Sequence, residues 1–119
     1  MDPRLIIRGI HLRLRPKLSD AIGAKAERLL RHEDHLVLLR IDLEHDQTRE
    51  PGQAFVARGY IEIRGPDLVA SVSAAEASTA IDLLVAKLDA LLRRRHERRI
   101  RRRTDPRARK PGPRREKSK

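Results

Sequence analysis

The sequence predicts an α+β two-layer sandwich in the order β-α-β-β-β-α, a four-stranded sheet with two helices on one face. Three observations carry this. Two segments, "LVLLRIDLEHD" and "AFVARGYIEIR", alternate apolar with polar residues, the period of a strand with one buried face. Two others, "RPKLSDAIGAKAERLLRH" and a long run from about Ala75 to about Arg103, place apolar residues at helical spacing. Finally, a helix separates the first strand from the second, which calls for a parallel crossover, while tight turns join the later strands as a meander. One sheet face is polar, so both helices belong on the other.

Taken in order, "RLIIRGI" is a short strand with Leu5, Ile7 and Gly9 on one side and Ile6 and Arg8 on the other. The first helix follows with Pro16 at its first position, where the missing N–H costs nothing. Leu18, Ile22, Ala26 and Leu29 form its buried face. In the second strand Val37, Leu39, Ile41 and Leu43 are expected to point inward, and Leu38, Arg40, Asp42 and Glu44 outward. "QTREPGQ" is a polar loop. The third strand turns Ala57, Gly59, Ile61 and Ile63 inward, and Arg58, Tyr60, Glu62 and Arg64 outward. "GPD" is a tight turn, and "LVASVSA" returns with Leu68, Ala70 and Val72 inward. The last helix carries a stripe of Ala77, Ile81, Leu84, Val85, Leu88 and Leu92; beyond Leu92 the stripe positions are Arg95 and Arg99, which no core accepts. That helix is expected to leave the globule there. The division expected is a folded domain over 1–103 and a disordered basic tail over 104–119, which is Pro-rich, charged and without large apolar residues.

Charge is distributed unevenly. Residues 93–119 hold 15 Lys/Arg against 3 Asp/Glu, a net of +12, while residues 1–92 hold 13 against 14, a net of −1. A near-neutral body with an intensely basic end calls for a polyanion, either nucleic acid or an anionic membrane surface. No amphipathic or lipidated anchor accompanies the basic end. No run approaches the roughly 18 apolar residues of a membrane span, and the N-terminus is too short in apolar residues for a secretory h-region. Cysteine is absent, which removes disulfides and thiolate metal sites. Phe55 and Tyr60 are the only aromatics besides histidine, which argues against a binding mode built on stacking bases over aromatic platforms.

The basic residues fall into rows. On the last helix Lys87, Arg94, Arg98 and Arg101 lie within about 60° around the axis at roughly 100° per residue, with Arg95, Arg99 and Arg102 beside them. On the first, Lys17, Lys25, Arg28 and Arg31 flank the apolar stripe. Guanidinium forks suit phosphate oxygens, and an A-form RNA surface is read through phosphates and 2′-hydroxyls. For the first helix, diluted by Asp20 and Glu27, a merely solvated face remains an equal alternative. For residues 93–103, eight like charges in eleven residues require a screening polyanion. The mixed charges on the outer sheet face read as cross-strand pairs, with stacking of Tyr60 on a base as the alternative. His32 and His35 in "HEDH" lack metal-ligand spacing, and pairing His32 with His45 for RNA cleavage has no support; no Gly-rich phosphate loop or Ser/His/Asp arrangement is present. No cofactor, metal or small-molecule substrate is expected.

"AIDLLVAKLDALLRRRHERR", residues 80–99, resembles the second helix of the ribosome hibernation promoting factors, also called ribosome-associated inhibitors. "RPKLSDAIGAKAERLLRH" resembles their first helix. The element order is similar too, a fold like double-stranded RNA-binding domains with an added first strand, over residues 4–103. The resemblance implies a non-enzymatic, cytoplasmic, ribosome-associated protein, monomeric when free. It implies binding to 16S rRNA of the small ribosomal subunit near the decoding centre, where mRNA and tRNA would lie, and inhibition of translation under stress or starvation. The RNA-binding residues expected are Lys25, Arg28, Arg31, Lys87, Arg94, Arg95, Arg98, Arg99, Arg101 and Arg102. A structural or assembly ribosomal RNA-binding protein with a basic extension is the alternative; a small RNA-processing enzyme lacks a catalytic constellation.

Overall fold

The computed structural model describes residues 2–31 and 35–104, with side chains through residue 98. The elements are β1 (Leu5–Ile10), α1 (Pro16–Arg31), β2 (Leu36–His45), β3 (Phe55–Ile63), β4 (Leu68–Ala74) and α2 (Ala77–Thr104), with a single 3-10 turn at Pro51–Gln53. The four strands form one sheet in the order β1-β2-β3-β4. β1 runs parallel to β2, and β2–β3 and β3–β4 are antiparallel. This is the expected α+β arrangement. The basic tail expected over 104–119 lies, from residue 105 on, outside the described residues.

The chain divides into two units, residues 1–89 and 90–119. The first holds the sheet, α1 and the opening turns of α2. Its core is built from the inward residues of each strand: Leu5, Leu39, Ile41, Leu43, Ala57, Ile61, Ile63, Ala70 and Ala74 are buried. Ile22, Ala26, Leu29 and Leu30 of α1 and Ala80, Ile81, Leu84, Val85 and Leu88 of α2 complete it. α1 starts at Pro16 as expected, and Ser19 N donates to Arg15 O at 2.9 Å. Gly59 sets the approach of α2 to the sheet: a Cβ there would lie 2.7 Å from Leu88 Cδ1 and 3.2 Å from Leu84 Cδ1. Gly65, at φ 94°, makes the left-handed turn between β3 and β4.

One expectation is corrected. Val37 is 58% exposed, and Leu36 is buried instead. The pairing of β2 with β3 shifts register between Leu36 and Leu38. A bulge of this kind adds one residue to the strand and reverses the in–out parity on its far side. Strict alternation therefore holds from Leu39 onward and fails at the strand start.

Candidate nucleic-acid interface

The amphipathic pattern of α1 places its cations away from the core. Lys17, Arg28 and Arg31 are exposed, and Lys25 is half-buried. Arg28 and Arg31 stand in the last turn, where the helix dipole favours cations and so contributes to their placement. Arg4, just before β1, donates to Leu30 O at 3.1 Å and Leu36 O at 3.3 Å, binding carbonyls at the end of α1 and the start of β2. Lys25 Nζ meets Asp82 Oδ1 of α2 at 2.5 Å. The two helices are thus tied by an ion pair whose carboxylate is 62% exposed. Lys87 is exposed and its Nζ lies 3.5 Å from Ser71 O of β4. Lys87 therefore belongs beside the sheet edge, a placement that helical spacing alone does not reveal.

The second unit begins at Ala90 within α2. Among its described residues Leu92 is buried. Arg93, Arg94 and Arg98 are exposed and Arg95 is half-buried. Arg99, Arg101 and Arg102 lie on the helical backbone, with side chains outside the described residues. The helix thus continues through "RRRHERRIRRRT", as the sequence pattern predicts. Eight arginines on one short rod concentrate positive potential there, and such potential attracts phosphate.

The outer sheet face is a lattice of paired charges. Arg8 donates from Nε to Asp42 Oδ1 at 2.9 Å and from Nη2 to Asp42 Oδ2 at 2.8 Å. Arg40 Nε lies 3.6 Å from Asp42 Oδ2. Arg58 donates to Glu44 Oε1 at 2.7 Å, and His11 Nδ1 lies 3.6 Å from Glu44 Oε2. Asp42 is buried although it lies on the wet face. The hydrogen bonds from Arg8 hold its carboxyl below the usual carboxylate range. Partial burial works against them, and the charges of Arg8, Arg40 and Arg58 add to them. The cross-strand reading of this face is supported, while the depth of Asp42 is not visible in its neighbours along the chain.

Among the described residues no group of three or more His, Cys, Asp or Glu is placed to hold a metal, and no helix is long and apolar enough to cross a membrane. Of the histidines considered as ligands, His32 lies outside the described residues and His35 is exposed. His45 stacks on Phe55 with ring centroids 4.4 Å apart.

Known proteins share this architecture. The chain is similar to a ribosomal subunit interface protein from Coxiella burnetii, with 16% identity and a TM-score of 0.67, covering 78% of this chain and 97% of that one. It is also similar to the N-terminal domain of Protein Y from Thermus thermophilus, with 22% identity and a TM-score of 0.63, covering 79% and 98%. At these identities the likeness speaks for the fold. A comparison with curated protein sequences gave no match. Residues 5–100, from the first strand into the arginine-bearing end of α2, match the model of one family. The resemblance carried by the two helices is thereby borne out, and the chain belongs to the Sigma 54 modulation protein / S30EA ribosomal protein family, that of the hibernation factors.

Proposed function

We propose that this protein is a ribosome hibernation factor that binds 16S rRNA of the small ribosomal subunit near the decoding centre. There it excludes mRNA and tRNA and inhibits translation under stress. It acts in the cytoplasm by occupancy and not by catalysis. The observation that carries this reading is the helical continuation of α2 past Leu92 as an arginine-bearing rod, in a chain of the S30EA family. Lys25, Arg28 and Arg31 of α1 and Lys87, Arg94, Arg95, Arg98, Arg99, Arg101 and Arg102 of α2 supply the cations. Helical geometry fixes the spacing of successive cations along each helix, as contact with an ordered RNA surface requires.

The test replaces Arg94, Arg95, Arg98 and Arg99 together with Gln. The fold should survive, because the sheet core lies in residues 1–89. Binding to isolated small subunits should weaken, and its salt dependence should flatten by about 0.7–0.9 in the slope of log K against log salt per lost phosphate contact. In vitro translation should be inhibited only at higher protein concentration. Unchanged affinity with an unchanged slope would place the site elsewhere. On sucrose gradients the protein should accumulate on ribosomes in stationary phase. Equal stoichiometry in growing and stationary cells would instead mark a structural ribosomal component.

A further inference from the structure

One row of the outer sheet face differs from the rest. The registers place Ile6, Arg40, Tyr60 and Val69 side by side across all four strands. Ile6 is 42% and Val69 67% exposed, so the row ends in two open apolar side chains. Between them Arg40 Cζ sits 5.3 Å from the centroid of the Tyr60 ring. The Tyr60 hydroxyl donates to Asp67 Oδ2 at 2.6 Å. That hydrogen bond also pushes the phenol pKa up, keeping the hydroxyl a donor. The ring is therefore held at its tip by a carboxylate and on its face by a guanidinium. The neighbouring row, Arg8–Asp42–Arg58–Ser71, is occupied by ion pairs, and Asp42 Oδ2 there also lies 3.6 Å from Arg40 Nε, which holds the guanidinium in place beside the ring. On the other side Leu38 stands opposite Glu62.

We propose that the Ile6–Arg40–Tyr60–Val69 row is a second RNA-contacting surface, one that takes a single unpaired nucleobase of a single-stranded RNA. This rests on the RNA-binding reading above for its ligand class but not for its place, since none of these residues belongs to the helical rows. The row is one residue wide and bounded by charge, far less than the roughly 800 Å² per partner that a stable protein interface buries. A planar base fits that width. Guanidinium planes and aromatic rings are the surfaces on which unstacked bases rest, and Ile6 and Val69 would cover the edges of the stack. The exposed Glu62 carboxylate beside the row accepts hydrogen bonds from an exocyclic amine. A duplex presents no base face and is excluded. One clamped ring is compatible with the scarcity of aromatics, which argues only against a platform for several bases.

The chain has one tyrosine and no tryptophan, so its intrinsic emission reports this row alone. Full-length protein is titrated at a salt concentration high enough to screen phosphate contacts. The probes are a short single-stranded oligoribonucleotide, an abasic strand with the same number of phosphates, and the corresponding duplex. The single strand should quench Tyr60, and the abasic strand and the duplex should not. Arg40→Ala should weaken the single-strand quench about 5- to 150-fold, the range of one base stack. At that salt concentration, where phosphate contacts are screened, replacing Arg28, Arg94 and Arg98 with Gln should weaken the quench far less than Arg40→Ala does. Equal quenching by the abasic strand, or none by the single strand, overturns the proposal. So does a concentration-dependent change of emission without RNA that accompanies dimer formation, because a second copy would then cover the row. Unchanged subunit binding in that arginine variant, with the single-strand quench present, would instead remove the helical reading and leave this one standing.

Discussion

Asp42 shows how one side chain can govern a sheet face. It is buried among three arginines and receives a two-pronged hydrogen bond from Arg8. Its folded-state pKa is depressed, so its contribution to stability is complete above the unfolded carboxylate value of about 3.9 and is lost as pH falls through the lower folded value. Asp42→Asn should lower stability near neutral pH by about 1.5–3 kcal/mol, the order of a hydrogen bond to a charged partner. The difference between wild type and variant should shrink as the pH falls below about 4. Denaturant unfolding at a series of pH values measures both. A variant gap that stays constant down the acid series would mean that Asp42 acts through packing and not through charge.

At the scale of elements, α1 and α2 are joined by Lys25 and Asp82. On the RNA-binding reading proposed above, the exposed Asp82 carboxylate holds the Lys25 ammonium where a phosphate oxygen would. The pair itself adds little stability, because exposed ion pairs are worth about 0.2–1 kcal/mol. On the same RNA-binding reading, Asp82 competes with phosphate for Lys25. Asp82→Asn should leave the melting temperature nearly unchanged and raise rRNA affinity about 1.5- to 5-fold. The salt slope should steepen by about 0.7–0.9. Filter binding of the variant over a salt series checks this; lowered affinity would mean that the carboxylate positions Lys25 for RNA. Both helices were legible in the sequence, since Pro16 and the Ile22/Ala26/Leu29 and Ile81/Leu84/Leu88 spacings are local signals. The pairing of Lys25 with Asp82, 57 positions apart, and the reach of Lys87 to Ser71 depend on how elements meet, which no local period encodes. The exchange of Leu36 and Val37 escaped for a related reason: a bulge is a property of two strands, and a single strand's alternation carries no trace of it. Arg4, which serves the end of α1 and the start of β2, has no apolar pattern to announce it.

For the whole molecule, charge is separated along the chain: the first 92 residues are near neutral and the remainder strongly positive. Residues 105–119 carry 7 Lys/Arg against 2 Asp/Glu. They add net positive charge, which speeds encounter with a polyanion and raises low-salt affinity. Removing them should weaken subunit binding at low salt and have little effect at high salt, while full inhibition of in vitro translation is still reached at saturating protein. A truncated chain that binds the subunit fully yet no longer inhibits would assign those residues a direct part in the block. The strand order and parallel β1–β2 pairing were legible because an intervening helix forces a crossover. The charge asymmetry was plain in composition. The pairing of charges on the outer face was legible in their mixed signs, whereas the row of Ile6, Arg40, Tyr60 and Val69 became visible only once the registers were known.

The parallel contact of β1 also orders events in time. Leu5 meets Leu39 and Arg8 meets Asp42 across 34 positions of chain, whereas β2, β3 and β4 are joined through short connections. Closing the long loop costs more chain entropy before any contact rewards it. The β2–β3–β4 meander should therefore form in the folding transition state and β1 should dock after it. Leu5→Ala, which removes a buried side chain from the last strand to arrive, should accelerate unfolding and leave the folding rate almost unchanged. Ile61→Val, in the central meander, should slow folding instead. Stopped-flow folding and unfolding limbs separate the two, and a folding rate slowed by Leu5→Ala would show the parallel pair to be part of the nucleus. With β1 arriving last and sitting at the sheet edge, its departure is the first local opening expected of the native protein. Arg8 then leaves with it, so the buried Asp42 loses its two-pronged partner at the moment the edge opens.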